Sequence, residues 1–334
     1  MKITKTKELE NKANEIRKGI IKQVYTAQSG HPGGSLSIAD IIAVLYFNEL
    51  NIDEKNPKWE YRDRFVLSKG HCVAALYSAL ALRGFFELEE LDKFRKIDGM
   101  LQGHPDMKKV PGIDMSTGSL GQGISAAVGM AMAGKMDNKG YRVYTILGDG
   151  EIEEGQVWEA AMSAVQYKLD NLCVIVDNNN LQIDGTIEEV MNSNPIDEKF
   201  RNFGFYVLTI DGHNLFEILY AFKKAKEIKG KPTCIIAKTT KGKGVSFMEN
   251  KVEWHGKAPN EEQYNQAMMF LGRSKKHHRE KMRWFYEFRW KNSNKRKLWQ
   301  SFSRAWKRKW KNSCIWCRFI ECHKNKFICK TVSS

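Results

Sequence analysis

The chain has 334 residues, 42% hydrophobic and 28% charged, with a formal net charge of +15. That composition excludes a disordered chain and a small disulfide-stapled scaffold, and the length allows a domain with a substantial core. No apolar run reaches membrane-spanning length and no secretory pattern precedes the first helical stretch, so a cytoplasmic protein with no membrane partner is expected.

In chain order, a helix is expected from about Thr6 to Gln28. Arg64 to Ser68 reads as a short strand, and His71 to Arg83 as the helix after it. A Gly/Ala-rich helix follows from Gly121 to Met136. Tyr141 to Leu147 is β-branched and aromatic and is closed by glycines, which marks a buried strand. Glu154 to Leu169 carries apolar residues at helical spacing, and Leu172 to Val176 is a second apolar strand. Tyr206 to Ile210 and Thr233 to Lys238 are further strands, separated by a helix from Leu215 to Ile228. Strand and helix in alternation argue for an α/β fold, a doubly wound, largely parallel sheet with helices on both faces. Thr239 to Gly256, with its Lys-Gly-Lys-Gly, reads either as a loop over a bound group or as a solvated basic loop. Cys173 and Cys234 lie in apolar strands and Cys72 beside His71, a reduced-compartment pattern with no disulfide framework.

The most informative stretch is Gly148-Asp149-Gly150, followed by Asn179 in Asp177-Asn178-Asn179-Asn180. A right-handed βαβ unit brings both strand ends to one edge of a parallel sheet, where such sheets bind ligands. A carboxylate and a carboxamide there are hard oxygen ligands, suited to a small divalent cation that also takes phosphate oxygens. Gly148 and Gly150 would let a diphosphate approach the backbone with no Cβ in the way.

The order Gly-Asp-Gly-x3-Glu-Gly-x2-Trp-Glu-Ala, then Asn-Leu, then Asp-x-Asn-x3-Ile-Asp-Gly, resembles the thiamine-diphosphate signature. Five further motifs resemble the N-terminal half of a transketolase and fall in that family's order. They are Ser29-Gly30-His31-Pro32-Gly33-Gly34-Ser35-Leu36-Ser37, Ser68-Lys69-Gly70-His71, Gln102-Gly103-His104-Pro105, Ser116 to Gly123, and His255-Gly256. The resemblance covers residues 1 to about 268. It implies that Asp149 and Asn179 ligate Mg2+ (or Ca2+) with the carbonyl of Leu181, and that Gly118 and Leu120 contact the aminopyrimidine of thiamine diphosphate. His71 and His255 would reach the diphosphate, with His255 also near the reacting carbonyl. His31 and His104 would hydrogen-bond donor-sugar hydroxyls and move protons, work for which imidazoles suit near neutral pH. In this family the cofactor carries the difficult carbanion chemistry. A second, pyrimidine-binding domain supplies the glutamate that activates it, and no such domain follows residue 272. The resemblance therefore implies half an enzyme. It would be the diphosphate-binding subunit of a split transketolase, inactive until joined by a separate C-terminal, pyrimidine-binding subunit, two of each forming a hetero-oligomer. Together they would move a two-carbon ketol unit between sugar phosphates, the transferase chemistry of the pentose phosphate pathway.

Residues 1–272 read as the thiamine-diphosphate (diphosphate and Mg2+) binding domain, and the composition breaks at residue 273. Residues 274–334 hold 19 Lys+Arg against 3 acidic residues, six of the nine tryptophans and four of the seven cysteines, with no Gly, Pro or Asp. Natural disordered tails avoid tryptophan and folded domains use glycine. Cys314, Cys317, Cys322, His323 and Cys329 could form a zinc knuckle, and Arg/Lys with Trp could bind nucleic acid. An out-of-frame origin explains more. Back-translated and shifted by one base, Lys291 to Phe302 gives Lys-Ile-Ala-Thr-Arg-Glu-Ser-Phe-Gly-Lys-Ala-Leu, which resembles the start of a pyrimidine-binding subunit. Upstream, Lys281 to Arg283 contains a shifted stop and Tyr286-Glu287 allows a shifted start. The tail is therefore expected to be non-native, with no specific nucleic-acid partner.

Other thiamine-diphosphate enzymes, such as a 1-deoxyxylulose-5-phosphate synthase or the α subunit of a 2-oxo acid dehydrogenase, remain alternatives. The Gly-His-Pro pair at His31 and His104 argues for transketolase, because ketose hydroxyls need those donors and 2-oxo acids do not.

Overall fold

The structure, a computed structural model, describes residues 3–272. The basic tail, from residue 273, lies outside the described residues. Among the described residues five strands form one parallel sheet in the order β1-β2-β3-β5-β4. They are β1 (Arg64–Leu67), β2 (Val143–Gly148), β3 (Leu172–Asn178), β4 (Tyr206–Asp211) and β5 (Thr233–Lys238).

Alternate residues of these strands enter two separate cores, as the twofold pleat requires. Leu67, Tyr144, Ile146, Cys173, Ile175 and Ile235 pack on one face. Val66, Val143, Leu147, Val174, Val176, Cys234 and Ile236 pack on the other. The first face is covered by α1 (Ile3–Ala27), α2 (Pro32–Ser37), α3 (Ala39–Val44), α4 (Val73–Arg83) and α9 (Leu215–Glu227). The second is covered by α5 (Gln122–Met136), α6 (Gly155–Gln166) and α8 (Ile196–Phe203), while the one-turn α7 (Ile187–Val190) sits in the loop after β3. The sheet is thus doubly wound with helices on both faces, as the alternation predicts.

In α1 the buried positions Leu9, Ala13, Ile16, Ile20 and Val24 recur at helical spacing. Each fully buried Ile contributes about 1.5–3 kcal/mol relative to exposure. A Cβ on Gly19 would stand 2.5 Å from Ser78 Oγ, so the glycine lets α1 approach α4 closely.

Most expected elements stand within a residue or two of their predicted bounds. The Tyr141 strand begins at Val143, and the Glu154 helix spans Gly155–Gln166. The short helices α2, α3 and α8 were not foreseen, nor was the helix over 261–272. The Pro-Gly-Gly-Ser run of α2 reads as a turn, yet Pro32 stands at its first position and every residue of it is buried. Tertiary packing overrides the weak helical propensity of glycine here. Cys72, Cys173 and Cys234 are all free and buried. Burial raises the Cys72 thiol, which makes it a packing residue rather than a reactive one. Among the described residues no helix is long and apolar enough to cross a membrane.

Candidate functional site

The site forms where β1, β2, β3 and β5 end. In the register of β2 and β3, Gly148 pairs with Asp177, so Asp149 and Asn179 emerge at the same edge. Both are buried. Asp149 Oδ2 accepts from the Asn180 amide at 2.6 Å and from Asn178 Nδ2 at 3.1 Å. Asn180 has a left-handed φ of 64°, which turns the chain back so that its N–H meets that carboxylate. Asn179 Nδ2 donates to Asp177 Oδ2 at 3.0 Å, which fixes the amide orientation, and its Oδ1 accepts from the Leu181 amide at 3.1 Å.

Asp177 is the hub beneath this edge. Its fully buried carboxylate accepts from Ser37 Oγ at 2.6 Å, from Lys69 Nζ at 2.5 Å and from Thr239 Oγ1. These donors come from the end of α2, the end of β1 and the end of β5. Burial alone would raise the Asp177 pKa, but Lys69 and the hydrogen bonds hold it below the usual carboxylate range. Asp149 behaves oppositely. Burial first, then the charge of Asp177, pushes it up to about 6, and it makes no salt bridge among the described residues.

A second cation, Lys241, completes the floor. It is 2% exposed, and its ammonium donates to the Leu181 carbonyl at 3.1 Å and stands 2.9 Å from His255 Nδ1. Burial first, then the charge of Lys69, pushes its pKa down to about 8. Its loop is anchored by a relay in which Arg17 and His213 Nδ1 both reach Asp40 Oδ2, at 2.5 and 2.8 Å. His213 Nε2 accepts from the Thr240 amide at 2.8 Å, which leaves the ring proton on Nδ1. Thr239 to Gly256 is therefore an anchored loop that turns one lysine inward, rather than a solvated basic loop.

Three of the four predicted histidines form a triangle. His31 precedes α2, His71 lies in the one-turn helix Gly70–Cys72, and His255 ends the turn Val252–His255. Ring centroids are 5.1 Å apart for His31 and His71, and 5.4 Å for His255 with each of the other two. Burial lowers all three, with neighbouring cations adding to it: His31 to about 4, His255 to about 3, and His71 well below its ordinary value. At neutral pH these imidazoles are uncharged and can donate or accept.

His104 is exposed at the rim, where its ring covers Gly118: a Cβ on that glycine would lie 2.8 Å from His104 Cδ2. Gly118 has a φ of +147°, and Leu120 beyond it is 37% exposed. Thr117 Oγ1 donates to the Leu67 carbonyl at 2.7 Å, which ties this loop to the end of β1. At Gly148 a Cβ would meet nothing closer than 3.8 Å, and at Gly150 it would meet Gln182 Cβ at 3.3 Å. A Cβ at Gly148 would thus make only ordinary van der Waals contacts, with Glu151 and Lys69, and the fold does not require a glycine there.

The predicted residues Asp149, Asn179, Leu181, His71, His255 and His31 converge on one edge, with Gly118, Leu120 and His104 along its rim. Sequence reasoning missed Lys69, Asp177, Lys241 and Glu151. Glu151 is buried and accepts from the Gly121 and Gly148 amides at 3.0 Å each. Lys69 and Lys241 sit in motifs already singled out, but lysines among glycines read as solvated. A buried carboxylate with no ion-pair partner and a buried ammonium with no carboxylate in contact, beside the Gly148 and Gly150 backbone, together fit a divalent cation with a diphosphate. Among the described residues no three His, Cys, Asp or Glu side chains are arranged so that they alone could hold a metal ion. A cation at this edge would therefore draw on carboxamide and carbonyl oxygens.

Comparison with known proteins points the same way. The family model described as "Transketolase, thiamine diphosphate binding domain" matches residues 9–315. The 6-deoxy-6-sulfo-D-fructose transketolase subunit SqwG of Clostridium sp. (strain MSTE9) is 49% identical over 264 residues, the match covering 79% of this chain and 96% of the relative. An apulose-4-phosphate transketolase subunit of Phocaeicola vulgatus is 46% identical over 260 residues, covering 78% and 92%. The crystal structure of transketolase from Campylobacter jejuni superposes with a TM-score of 0.76 at 39% identity, covering 81% of this chain and 43% of that chain. The chain thus spans less than half of the solved enzyme and nearly the full length of the two subunits. It belongs to the transketolase family, a family of transferases, as its thiamine-diphosphate-binding N-terminal part.

Proposed function

We propose that this chain is the diphosphate-binding subunit of a two-subunit transketolase. With a separate pyrimidine-binding subunit it transfers a two-carbon ketol unit between sugar phosphates in the cytoplasm. The observation that carries this reading is the convergence of Asp149, Asn179 and Lys241 with the neutral His31–His71–His255 triangle at one sheet edge. When bound, thiamine diphosphate supplies the carbon–carbon bond chemistry. In this reading Asp149, Asn179 and the Leu181 carbonyl hold Mg2+ (or Ca2+), while Lys241 and His71 face the diphosphate. Gly148 and Gly150 leave room for it, and Gly118 and Leu120 meet the aminopyrimidine through their backbone. His31 and His104 bind donor-sugar hydroxyls and pass protons to and from them, and His255 reaches the diphosphate and stands near the reacting carbonyl. Two histidines on Gly-His-Pro turns favour a polyhydroxylated ketose over a 2-oxo acid. Relatives of nearly this length are named as subunits of a transketolase, which supports a partner protein that we expect to join in equal number.

The test is reconstitution. The chain is mixed with its partner, thiamine diphosphate and Mg2+, and transfer from xylulose 5-phosphate to ribose 5-phosphate is followed. Because two relatives are named for other ketoses, 6-deoxy-6-sulfo-D-fructose and apulose 4-phosphate belong in the donor panel. Turnover of pyruvate with no sugar transfer would refute the reading.

We further propose that residues 273–334 are an out-of-frame extension with no evolved role. The abrupt rise to 19 Lys+Arg against 3 acidic residues supports it. The coding DNA decides this, since absence of a stop and a start in the next frame removes the idea.

A further inference from the structure

The two Gly-His-Pro turns are far apart in sequence, and one unassigned side chain touches both. Arg95 Nη1 donates to Ser29 Oγ at 3.0 Å, two residues before His31. A Cβ on Gly103 would lie 2.8 Å from Arg95 Cζ, 2.9 Å from Nη2 and 3.0 Å from Nε. Such nearly equal distances put Gly103 over the flat face of the guanidinium, directly before His104. The arginine backbone is left-handed, with a φ of 58°, and its amide donates to the Leu101 carbonyl at 2.8 Å. Left-handed φ is uncommon for a residue with a long side chain and tends to persist where the surroundings impose it. Here the preceding residue is held by packing. Phe94 is buried, and its Cε1 would stand 3.3 Å from a Cβ on Gly30. Tyr77, edge-on to Phe94 at 6.1 Å, donates to the His104 carbonyl at 3.0 Å. Among the described residues Arg95 makes no salt bridge, and its buried Nε has no hydrogen-bond partner. A cation so placed serves no surface ion pair; it lies over the ring of buried Phe94, 5.5 Å from the centroid, which holds it between the two turns.

The geometry points to Arg95 as a positioning residue, a clamp that joins the His31 turn to the His104 turn and sets the two imidazoles in register at the mouth of the site. The inference deepens the proposed function, because it rests on His31 and His104 acting on the donor sugar. The guanidinium fork is what makes the clamp work: one N–H holds Ser29 while the plane carries Gly103, which a lysine ammonium cannot do together. Its charge also faces both rings. His31 is surrounded by Arg95, His104 and Lys241, with His71 and His255 at ring contact. His104 faces Arg95, with the Tyr77 hydroxyl on its carbonyl. Burial lowers both histidines first, and Arg95 lowers them further.

The test compares wild type with Arg95→Met, Arg95→Lys and Gly103→Ala in the full chain. In the chain alone, imidazole NMR signals of His31 and His104 are followed against pH, and binding of thiamine diphosphate with Mg2+ is measured by calorimetry. In Arg95→Met both histidines should titrate at higher pH than in wild type, with cofactor affinity changed less than about twofold. Arg95→Lys should keep the low titration but shift both signals, since charge is retained and the fork is lost. Gly103→Ala, which pushes the guanidinium off from the other side, should shift His104 signals without deleting any charge. Once the partner protein is present, kcat/KM for the ketose donor should fall about ten- to a hundredfold in Arg95→Met, the cost of sub-ångström misplacement. Unchanged histidine titrations and signals in Arg95→Met and Gly103→Ala would overturn the clamp. A wild-type complex that fails to transfer sugar would count against the proposed function alone, because the NMR readout on the isolated chain decides the clamp independently.

Discussion

The Lys69 ammonium lies 2.5 Å from Asp177 Oδ2, with the two side chains 2% and 0% exposed. An ion pair this deeply buried is weak evidence for stability, because desolvation offsets most of the attraction. Its position argues for another role: it joins the end of β1 to the end of β3 under the edge where Asp149 and Asn179 emerge. Asp177→Ala should therefore destabilise the chain by about 3–5 kcal/mol, since it strands a buried ammonium. Lys69→Met combined with Asp177→Leu should recover part of that loss in urea unfolding, yet bind thiamine diphosphate with Mg2+ poorly. Full cofactor affinity in the double variant would show that the pair is structural only.

Asp149 shows the opposite behaviour. Burial pushes its pKa up to about 6, above the unfolded value of 3.8, so holding the carboxylate ionised costs stability at neutral pH. Asp149→Asn removes that cost while keeping an oxygen for the Asn180 amide. The unfolding midpoint of the cofactor-free chain should stay level or rise at pH 7.5, whereas metal-dependent cofactor binding should disappear. A lowered midpoint together with normal binding by calorimetry would contradict both halves of the argument.

The backbone plan was legible because buried parallel strands announce themselves. Val143 to Leu147 and Leu172 to Val176 are β-branched runs bounded by glycine, asparagine or aspartate, and they became adjacent strands. The convergence of Asp149 and Asn179 on one edge was legible for the same reason, as the two residues follow those strands directly. What escaped was polar burial. Lys69 and Asp177 satisfy each other across 108 residues of sequence, and Lys241 reaches the Leu181 carbonyl across 60. No local pattern separates such a lysine from one in solvent. Arg95 escaped for a related reason: its partners Ser29 and Gly103 belong to turns that only the fold brings together.

The imidazole triangle has a consequence for acid stability. His31 is lowered to about 4 and His255 to about 3, in each case chiefly by burial, from an ordinary value of 6.5. The unfolded chain thus binds protons that the folded chain refuses, and stability falls as pH drops from about 6.5 toward 4. Thermal midpoints measured from pH 8 to pH 4 should be flat above 7 and decline below it. His31→Asn and His255→Asn should each make the decline shallower. Equal slopes in wild type and both variants would mean that these histidines are not held neutral by the fold.

Gly148 separates the demands of binding from those of folding. A Cβ there would meet nothing closer than 3.8 Å, and the residue has an ordinary negative φ, so Gly148→Ala should fold with an unchanged midpoint. If this edge carries the diphosphate, the added methyl stands between backbone and ligand, and affinity for thiamine diphosphate with Mg2+ should fall at least about tenfold, or about 1.4 kcal/mol. Gly123→Ala provides the contrast, because its Cβ would press on Ser68 Cα at 2.7 Å and on its Oγ at 2.6 Å. That variant should lose stability whether or not cofactor is present, since α5 must move off the end of β1. Equal cofactor affinity in wild type and Gly148→Ala would move the diphosphate away from this edge, and with it the metal-ligand roles argued for Asp149 and Asn179.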